Sequence, residues 1–236
     1  MRDKKMKRKA FKAALPYTLP VLMGYLFLGI AFGVLLSSKG YHVGWAILMS
    51  VTIYAGSMQF VAIELLVSPF NLVNTLLVTL FVQARHLFYG LSLLDKFKIS
   101  EALKPYMIFS LTDETYSLLC SAEPPEGVSK KWFMFFIAFM DHLYWIAGGI
   151  IGSLAGSVFK FDPTGIDFAM TALFIVIFVE QWENSKQHTP ALLGLGITLV
   201  SLLIFGAEKF MIFAMIGIFM ALTLLQGRLK SQEETA

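Results

Sequence analysis

Charge is scarce in this chain of 236 residues: 15% is Asp, Glu, Lys or Arg, against 57% hydrophobic. Soluble domains carry about 25% charged residues, so the composition excludes an ordinary water-soluble fold. Cysteine is nearly absent. Cys120 stands alone, which excludes an intrachain disulfide and a cysteine-rich metal site. The four histidines are scattered without a His-x-x-x-His spacing, so no metal is expected. Walker loops, dinucleotide glycine loops and Gly-x-Ser-x-Gly elbows are missing, which argues against ATP-driven pumping by this chain alone and implies no cofactor. The alternating strands of a membrane β-barrel are missing too. No stretch between apolar runs has room for a soluble domain.

What is present is a series of apolar runs, several of them near the roughly 20 residues that cross a bilayer core of about 30 Å. Eight segments are read: 15–36, 44–66, 71–94, 105–121, 132–157, 167–183, 190–206 and 210–226. The fold class is all-α, a polytopic transmembrane helical bundle in the lipid bilayer. A basic cytoplasmic N-terminus (1–14) precedes a single transmembrane domain (15–226) and a cytoplasmic tail (227–236). Turn signals separate the segments at Ser68-Pro69, Glu123-Pro124-Pro125-Glu126-Gly127 and Asp162-Pro163-Thr164-Gly165.

Seven Lys/Arg crowd the first twelve residues. Such a run reads as a cytoplasmic anchor under the positive-inside rule rather than as a nucleic-acid site. The apolar run from Leu15 is too long for a signal-peptide h-region of about 7–15 residues. With all eight segments crossing, the loops hold twelve Lys/Arg inside and six outside. If 105–121 alone dips in and returns, the tally is nine and nine. The charge rule therefore predicts eight crossings with both termini cytoplasmic, although 105–121 is short and polar. An internal duplication is a further reading. Tyr25, Gly29 and Gly33 match Tyr144, Gly148 and Gly152 at an offset of 119, and Gln59-Phe60 resembles Gln181-Trp182. Eight crossings would make the halves parallel.

Polar residues inside the apolar runs carry the functional argument. An arginine at the centre of a membrane helix costs roughly 2.5–3.5 kcal/mol. Arg85 is the only charged residue between Glu64 and Asp95. It shares a helix face with Tyr89, four residues on, and His86 sits beside it. The patch either faces a cavity inside the bundle or snorkels to an interface. Thr112-Asp113-Glu114 brings two adjacent carboxylates into the fourth segment. They are the obvious partners for Arg85, as a structural ion pair or as acceptors for a substrate or proton. In the second segment, Tyr54, Gly56, Ser57 and Gln59 mark either a helix break with exposed backbone groups or interhelical hydrogen bonding. Gly29 and Gly33, and Gly148, Gly152 and Gly156, form flat helix-packing faces. Asp141 and His142 are interfacial or belong to a proton path. Glu180 and Glu183, near Lys186 and His188, read as interfacial and receive no role.

These clusters, in this order, resemble the AzlC family, the large subunits of bacterial branched-chain amino-acid exporters. The resemblance rests on Tyr54-Ala-Gly-Ser-Met-Gln-Phe60, Arg85-His-Leu-Phe-Tyr-Gly90 and Leu111-Thr-Asp-Glu-Thr-Tyr116, with the glycine-rich fifth segment and Ala172-Leu173-Phe174 in support. It covers Leu15 to Leu225 and departs at Met58, where members often carry a small residue. It implies an inner-membrane protein working with a small AzlD-type membrane subunit to export leucine, isoleucine, valine and sometimes methionine. It also implies that the Gln59, Arg85 and Asp113-Glu114 regions line the path. On this reading Arg85 engages the substrate carboxylate or holds Asp113 or Glu114 in place. One of those carboxylates receives the substrate ammonium or a coupling proton. Two readings from other classes stand beside it: a scaffold for a transporting partner, and an intramembrane serine hydrolase using Ser57 with His86 or His142.

Overall fold

The computed structural model describes residues 2–99, 102–159, 167–184 and 188–233. Every regular element among the described residues is helical. The chain divides into two compact units, Met1–Thr171 and Ala172–Ala236.

The spine of the first unit is a pair of long helices. α1 (Arg2–Ser38) runs for 37 residues, so the basic N-terminus and the first apolar segment form one continuous rod. Pro16 and Pro20 lie within it. The Thr18 hydroxyl donates to the Leu15 carbonyl at 3.1 Å on the same turn, a side-chain accommodation typical of proline-bearing membrane helices. α7 (Lys130–Val158) lies along α1. Phe11 meets Phe136 edge-on at 5.4 Å, Thr18 meets Tyr144 at 3.2 Å, and Gly29 and Gly33 face Gly148 to Gly152. The numbers rise together, so the two helices are parallel. Their backbones touch: a Cβ on Gly33 would lie 2.3 Å from the Gly149 carbonyl oxygen, and one on Gly152 would lie 2.1 Å from that of Ile30. A Cβ on Gly156 would lie 3.0 Å from Ser37. Small residues admit this approach, where dispersion replaces the hydrophobic effect as the driving force.

The second and fourth apolar segments are each broken in the middle. α2 (Val43–Thr52) and α3 (Gly56–Val67) are joined by Ile53, Tyr54 and Ala55. The end of α3 returns to the end of α1: Tyr41 donates to the Leu66 carbonyl at 3.2 Å, and Lys39 lies 3.7 Å from Glu64. The segment is therefore a hairpin that enters and leaves on one side. α4 (Leu72–Leu93) then runs the length of the unit to a 3₁₀ turn, Lys96–Ile99. α5 (Lys104–Phe109) and α6 (Asp113–Ser121) form a second hairpin. Its end returns beside the end of α4, where Lys96 donates to the carbonyls of Leu119 and Cys120 at 3.2 and 2.7 Å. Leu93, Phe97, Met107 and Leu119 share one buried cluster with Ala14 and Phe133, which places this open end beside the starts of α1 and α7.

The eight apolar segments are thus all helical, but the second and fourth fold back where eight crossings were expected. Irregular backbone is tolerated at membrane depth when protein covers it, and Tyr54, Ala55, Leu111 and Thr112 at the two tips are all buried. Four helical stretches are long and apolar enough to cross a bilayer by themselves: Lys4–Ser38, Leu72–Leu93, Lys130–Val158 and Thr189–Gly206.

The division between the units falls inside α8 (Asp167–Asn184). In the second unit Trp182 stacks on His188 at 3.9 Å. α9 (Thr189–Glu233) bends at Gly206, whose φ of 70° lies outside helical geometry. Its two arms lie side by side: Phe205 stacks on Phe213 at 3.8 Å, and a Cβ on Gly217 would meet Ile197 at 2.9 Å. The helix continues past the 227 boundary read for the tail. The turn at 162–165, Lys160, Lys186 and the side chains of Leu173, Phe174, Glu180, Gln181 and Lys209 fall outside the described residues. Glu183 is exposed. The register of 119 is the register in which α1 packs on α7. Beyond those helices the repeat is not carried, because α8 is one continuous helix where α2 and α3 form a hairpin.

Candidate functional site

The two hairpin tips face each other, and each presents a helix N-terminus. At the first tip the amides of Ile53 and Tyr54 both reach the Met49 carbonyl, and Tyr54 takes a φ of 41°. This left-handed geometry costs an L-residue roughly 1–2 kcal/mol. α3 then starts at Gly56 with no side-chain cap. Helix geometry leaves its first amides without intrahelical acceptors. Gly56 is itself helical, and its smallness serves packing: a Cβ there would lie 3.0 Å from the Trp145 ring. At the second tip, Thr112 caps α6 by accepting from the Thr115 amide at 3.2 Å. Asp113 and Glu114 occupy the first turn, where negative charge suits the helix dipole.

Arg85, from α4, joins the tips. One guanidinium nitrogen lies 2.8 Å from an Asp113 carboxylate oxygen. Another donates to the Ser57 hydroxyl at 2.7 Å. Tyr89, one turn on, donates to the other Asp113 oxygen and stacks on Tyr116 at 4.4 Å. The site thus brings together Ser57, Arg85, Tyr89 and Asp113. Glu114 points elsewhere and accepts from Tyr25 of α1 at 2.9 Å; Tyr25 is also bonded to Thr112. Gln59 belongs to a separate buried set: its amide donates to Ser50 at 3.3 Å, and its oxygen accepts from Trp145 at 2.6 Å. His142 bonds Tyr106 and the Ser50 carbonyl, both at 3.1 Å, and Tyr54 stacks on its ring at 4.0 Å.

A cavity of about 710 Å³ opens between the tips and α4. Its walls include Met58 of the first hairpin, Ile108, Phe109 and Leu111 of the second, and Gln83 and His86 of α4. The Gln83 oxygen and His86 Nδ1 are buried without a hydrogen-bond partner. An apolar chamber of this size with a few polar groups is typical of small-ligand sites. No cluster of three His, Cys, Asp or Glu that could hold a metal occurs among the described residues. A hydrolase would need a histidine on Ser57; the Ser57 hydroxyl instead takes a hydrogen from Arg85, and the His142 ring is committed to Tyr106 and Ser50.

Tyr25, Ser50, Thr115, Tyr106 and Trp145 belong to these networks and were not singled out as site residues from sequence. Ser50, Tyr106 and Trp145 are single polar or aromatic residues in apolar runs, while Tyr25 stood out only in the register of 119 and Thr115 only as a neighbour of Asp113 and Glu114.

Comparison with known proteins places the chain in a family. The AzlC protein family matches residues 20–159. The branched-chain amino acid transport protein AzlC of Bacillus subtilis (strain 168) is 50% identical over 95% of this chain and 88% of its own length. An uncharacterized membrane protein of Helicobacter pylori (strain ATCC 700392 / 26695) is 47% identical over 94% of this chain and 97% of its own. The inner membrane protein YgaZ of Escherichia coli (strain K12) is 27% identical over 78% and 80%. No solved structure matches. With this identity sustained across almost the whole chain, the protein belongs to the AzlC family.

Proposed function

We propose that this chain is the transporting subunit of an exporter for branched-chain and other hydrophobic amino acids, in the bacterial inner membrane with both termini cytoplasmic. A small AzlD-type membrane subunit completes it. The observation that carries the reading is the meeting of two hairpin tips over an apolar cavity, with Arg85 bridging them. Half-helix N-termini at mid-membrane suit an anionic group. The substrate carboxylate meets Arg85 and the uncapped start of α3. The ammonium meets Asp113. The branched side chain enters the cavity against Met58, Phe109 and Leu111. The name of the Bacillus relative, a branched-chain amino acid transport protein, supports the substrate class.

The test is efflux of preloaded labelled leucine and valine from cells lacking their own exporters. The cells carry this chain with the small partner, without it, or with an Arg85→Gln chain. Faster efflux with both subunits, lost in the variant, is the expected result. No efflux from membranes that contain both assembled subunits rejects the substrate assignment.

A further inference from the structure

Asp141 lies in the middle of α7 and is fully buried. Thr115 from α6 is in contact with it, and the titratable groups close enough to interact with its charge are Tyr25 from α1, Tyr54 from the first tip, Tyr106 from α5 and Glu114 from α6, with His142 next to it on α7. None is a Lys or Arg. One carboxyl oxygen accepts from Thr115 at 2.9 Å; the other, Oδ1, has no hydrogen-bond partner. A charged group inside a membrane protein without an opposite charge is costly and marks an ion or proton path more often than a structural need.

The hydrogen bonds around Asp141 form a continuous chain. Asp141 meets Thr115, Thr115 meets Thr112 at 3.0 Å, Thr112 meets Tyr25, and Tyr25 meets Glu114 at 2.9 Å. Four oxygen–oxygen links join two carboxyl groups through three hydroxyls. Each hydroxyl has one hydrogen to donate. Three hydrogens cannot fill four links. A fourth hydrogen on one of the two carboxyl groups satisfies every link in either direction. Asp141 protonated donates along the chain to an ionised Glu114; Glu114 protonated donates back to an ionised Asp141.

We propose that Asp141 and Glu114 share one proton through Thr115, Thr112 and Tyr25, and that this proton is the one exchanged during transport. In each transfer the carboxyl O–H bond at one end breaks, each hydroxyl passes its hydrogen to the next oxygen, and an O–H bond forms at the other end. Nothing is oxidised or reduced. Glu114 adjoins Asp113, so the proton on Glu114 answers to the charge at the Arg85 bridge, while Asp141 holds it in the core of α7. The transport role rests on the exporter reading above; the shared proton does not.

Two measurements test these parts separately. Infrared spectra of the purified full chain at neutral pH read the proton directly. The carbonyl stretch of a protonated carboxyl group is expected in the native protein, shifted in Tyr25→Phe, and absent from the Asp141→Asn, Glu114→Gln double variant. Its absence from the native protein, or its survival in the double variant, overturns the shared proton. Transport in vesicles containing both subunits then tests coupling. Asp141→Asn is expected to keep leucine exchange within twofold and to lose uphill movement driven by a pH gradient at least tenfold. Retained pH-driven movement overturns the coupling role, as does loss of exchange and coupling together, which a purely structural residue would give. Uphill movement driven by a sodium gradient alone overturns it as well. If the native complex moves no leucine at all, the exporter reading fails, and the infrared result still stands or falls by itself.

Discussion

Arg85 is held by two different kinds of partner, and the difference predicts how its neighbours respond to substitution. Its planar fork reaches Asp113 with one nitrogen and Ser57 with another. A lysine offers one ammonium and cannot reproduce that fork. Removing one partner of a fully buried ion pair costs about 3–5 kcal/mol. Asp113 and Arg85 are each 23% exposed, so their loss falls below that range. Removing only the Ser57 hydroxyl takes away one hydrogen bond to a charged group, about 1.5–3 kcal/mol. With tenfold per 1.4 kcal/mol, Arg85→Gln is expected to slow efflux about a hundredfold, with Arg85→Lys and Ser57→Ala nearer tenfold. Equal rates for Arg85→Gln and the native chain, at equal membrane abundance, would remove Arg85 from the path. Gln59 responds differently. Its buried oxygen depends on the Trp145 ring N–H at 2.6 Å, so Trp145→Phe leaves a buried acceptor unsatisfied. A loss of about 1–3 kcal/mol follows, readable as a lower melting temperature in detergent, and Gln59→Leu in the same chain should restore part of it.

At the scale of elements, the helix pair α1 and α7 carries the unit, and glycine makes their approach possible. Gly33→Ala and Gly152→Ala each drive a Cβ into backbone of the facing helix, where nothing can rotate aside. Overpacking of this kind costs about 1–3 kcal/mol or more. Gly24→Ala on the same helix has open space within 4 Å and serves as the control. Melting in detergent should drop for the first two and hold for the third; an unchanged melt for Gly33→Ala would mean the helices do not touch there. The glycine spacing was visible in the sequence, since four-residue periods on a helix leave few other readings. The partner of each face was not visible, because spacing fixes a stripe and not what lies against it. The hairpins were hidden for a related reason. Two helices of 10 and 12 residues joined by three have the same length and apolarity as one continuous span. Gly56 drew attention as the break, yet the chain turns just before it, at Tyr54, which takes the positive φ instead. The pairing of Arg85 with Asp113 was legible, because an intramembrane charge demands an opposite one and few candidates existed. The chain from Asp141 to Glu114 was not, since it assembles hydroxyls from α1 and α6 that no local pattern relates.

For the whole molecule, the parallel course of α1 and α7 constrains how the chain threads the bilayer. Parallel helices require an odd number of crossings between them, and α4 supplies one. Either both broken segments cross or neither does, and the returns at Leu66 and Leu119 select neither. Loop charge then agrees better than it did with eight crossings. Through Lys131, and leaving Arg85 aside, twelve Lys/Arg fall on the N-terminal side and one, Lys39, on the other; with both segments crossing the division is nine and four. The positive-inside rule therefore favours one hairpin entering from each face and meeting at mid-membrane. Single cysteines in a Cys120→Ser chain separate the two threadings when intact cells are treated with a membrane-impermeant maleimide. Cysteine at Lys39 and at Ser68 should react, and cysteine at Lys98 and at Gly127 should be protected until the cells are opened. If both broken segments crossed instead, Ser68 would be protected and Lys98 would react. Reaction at Gly127 would mean that α7 starts on the far side, which the packing of its glycines on α1 forbids.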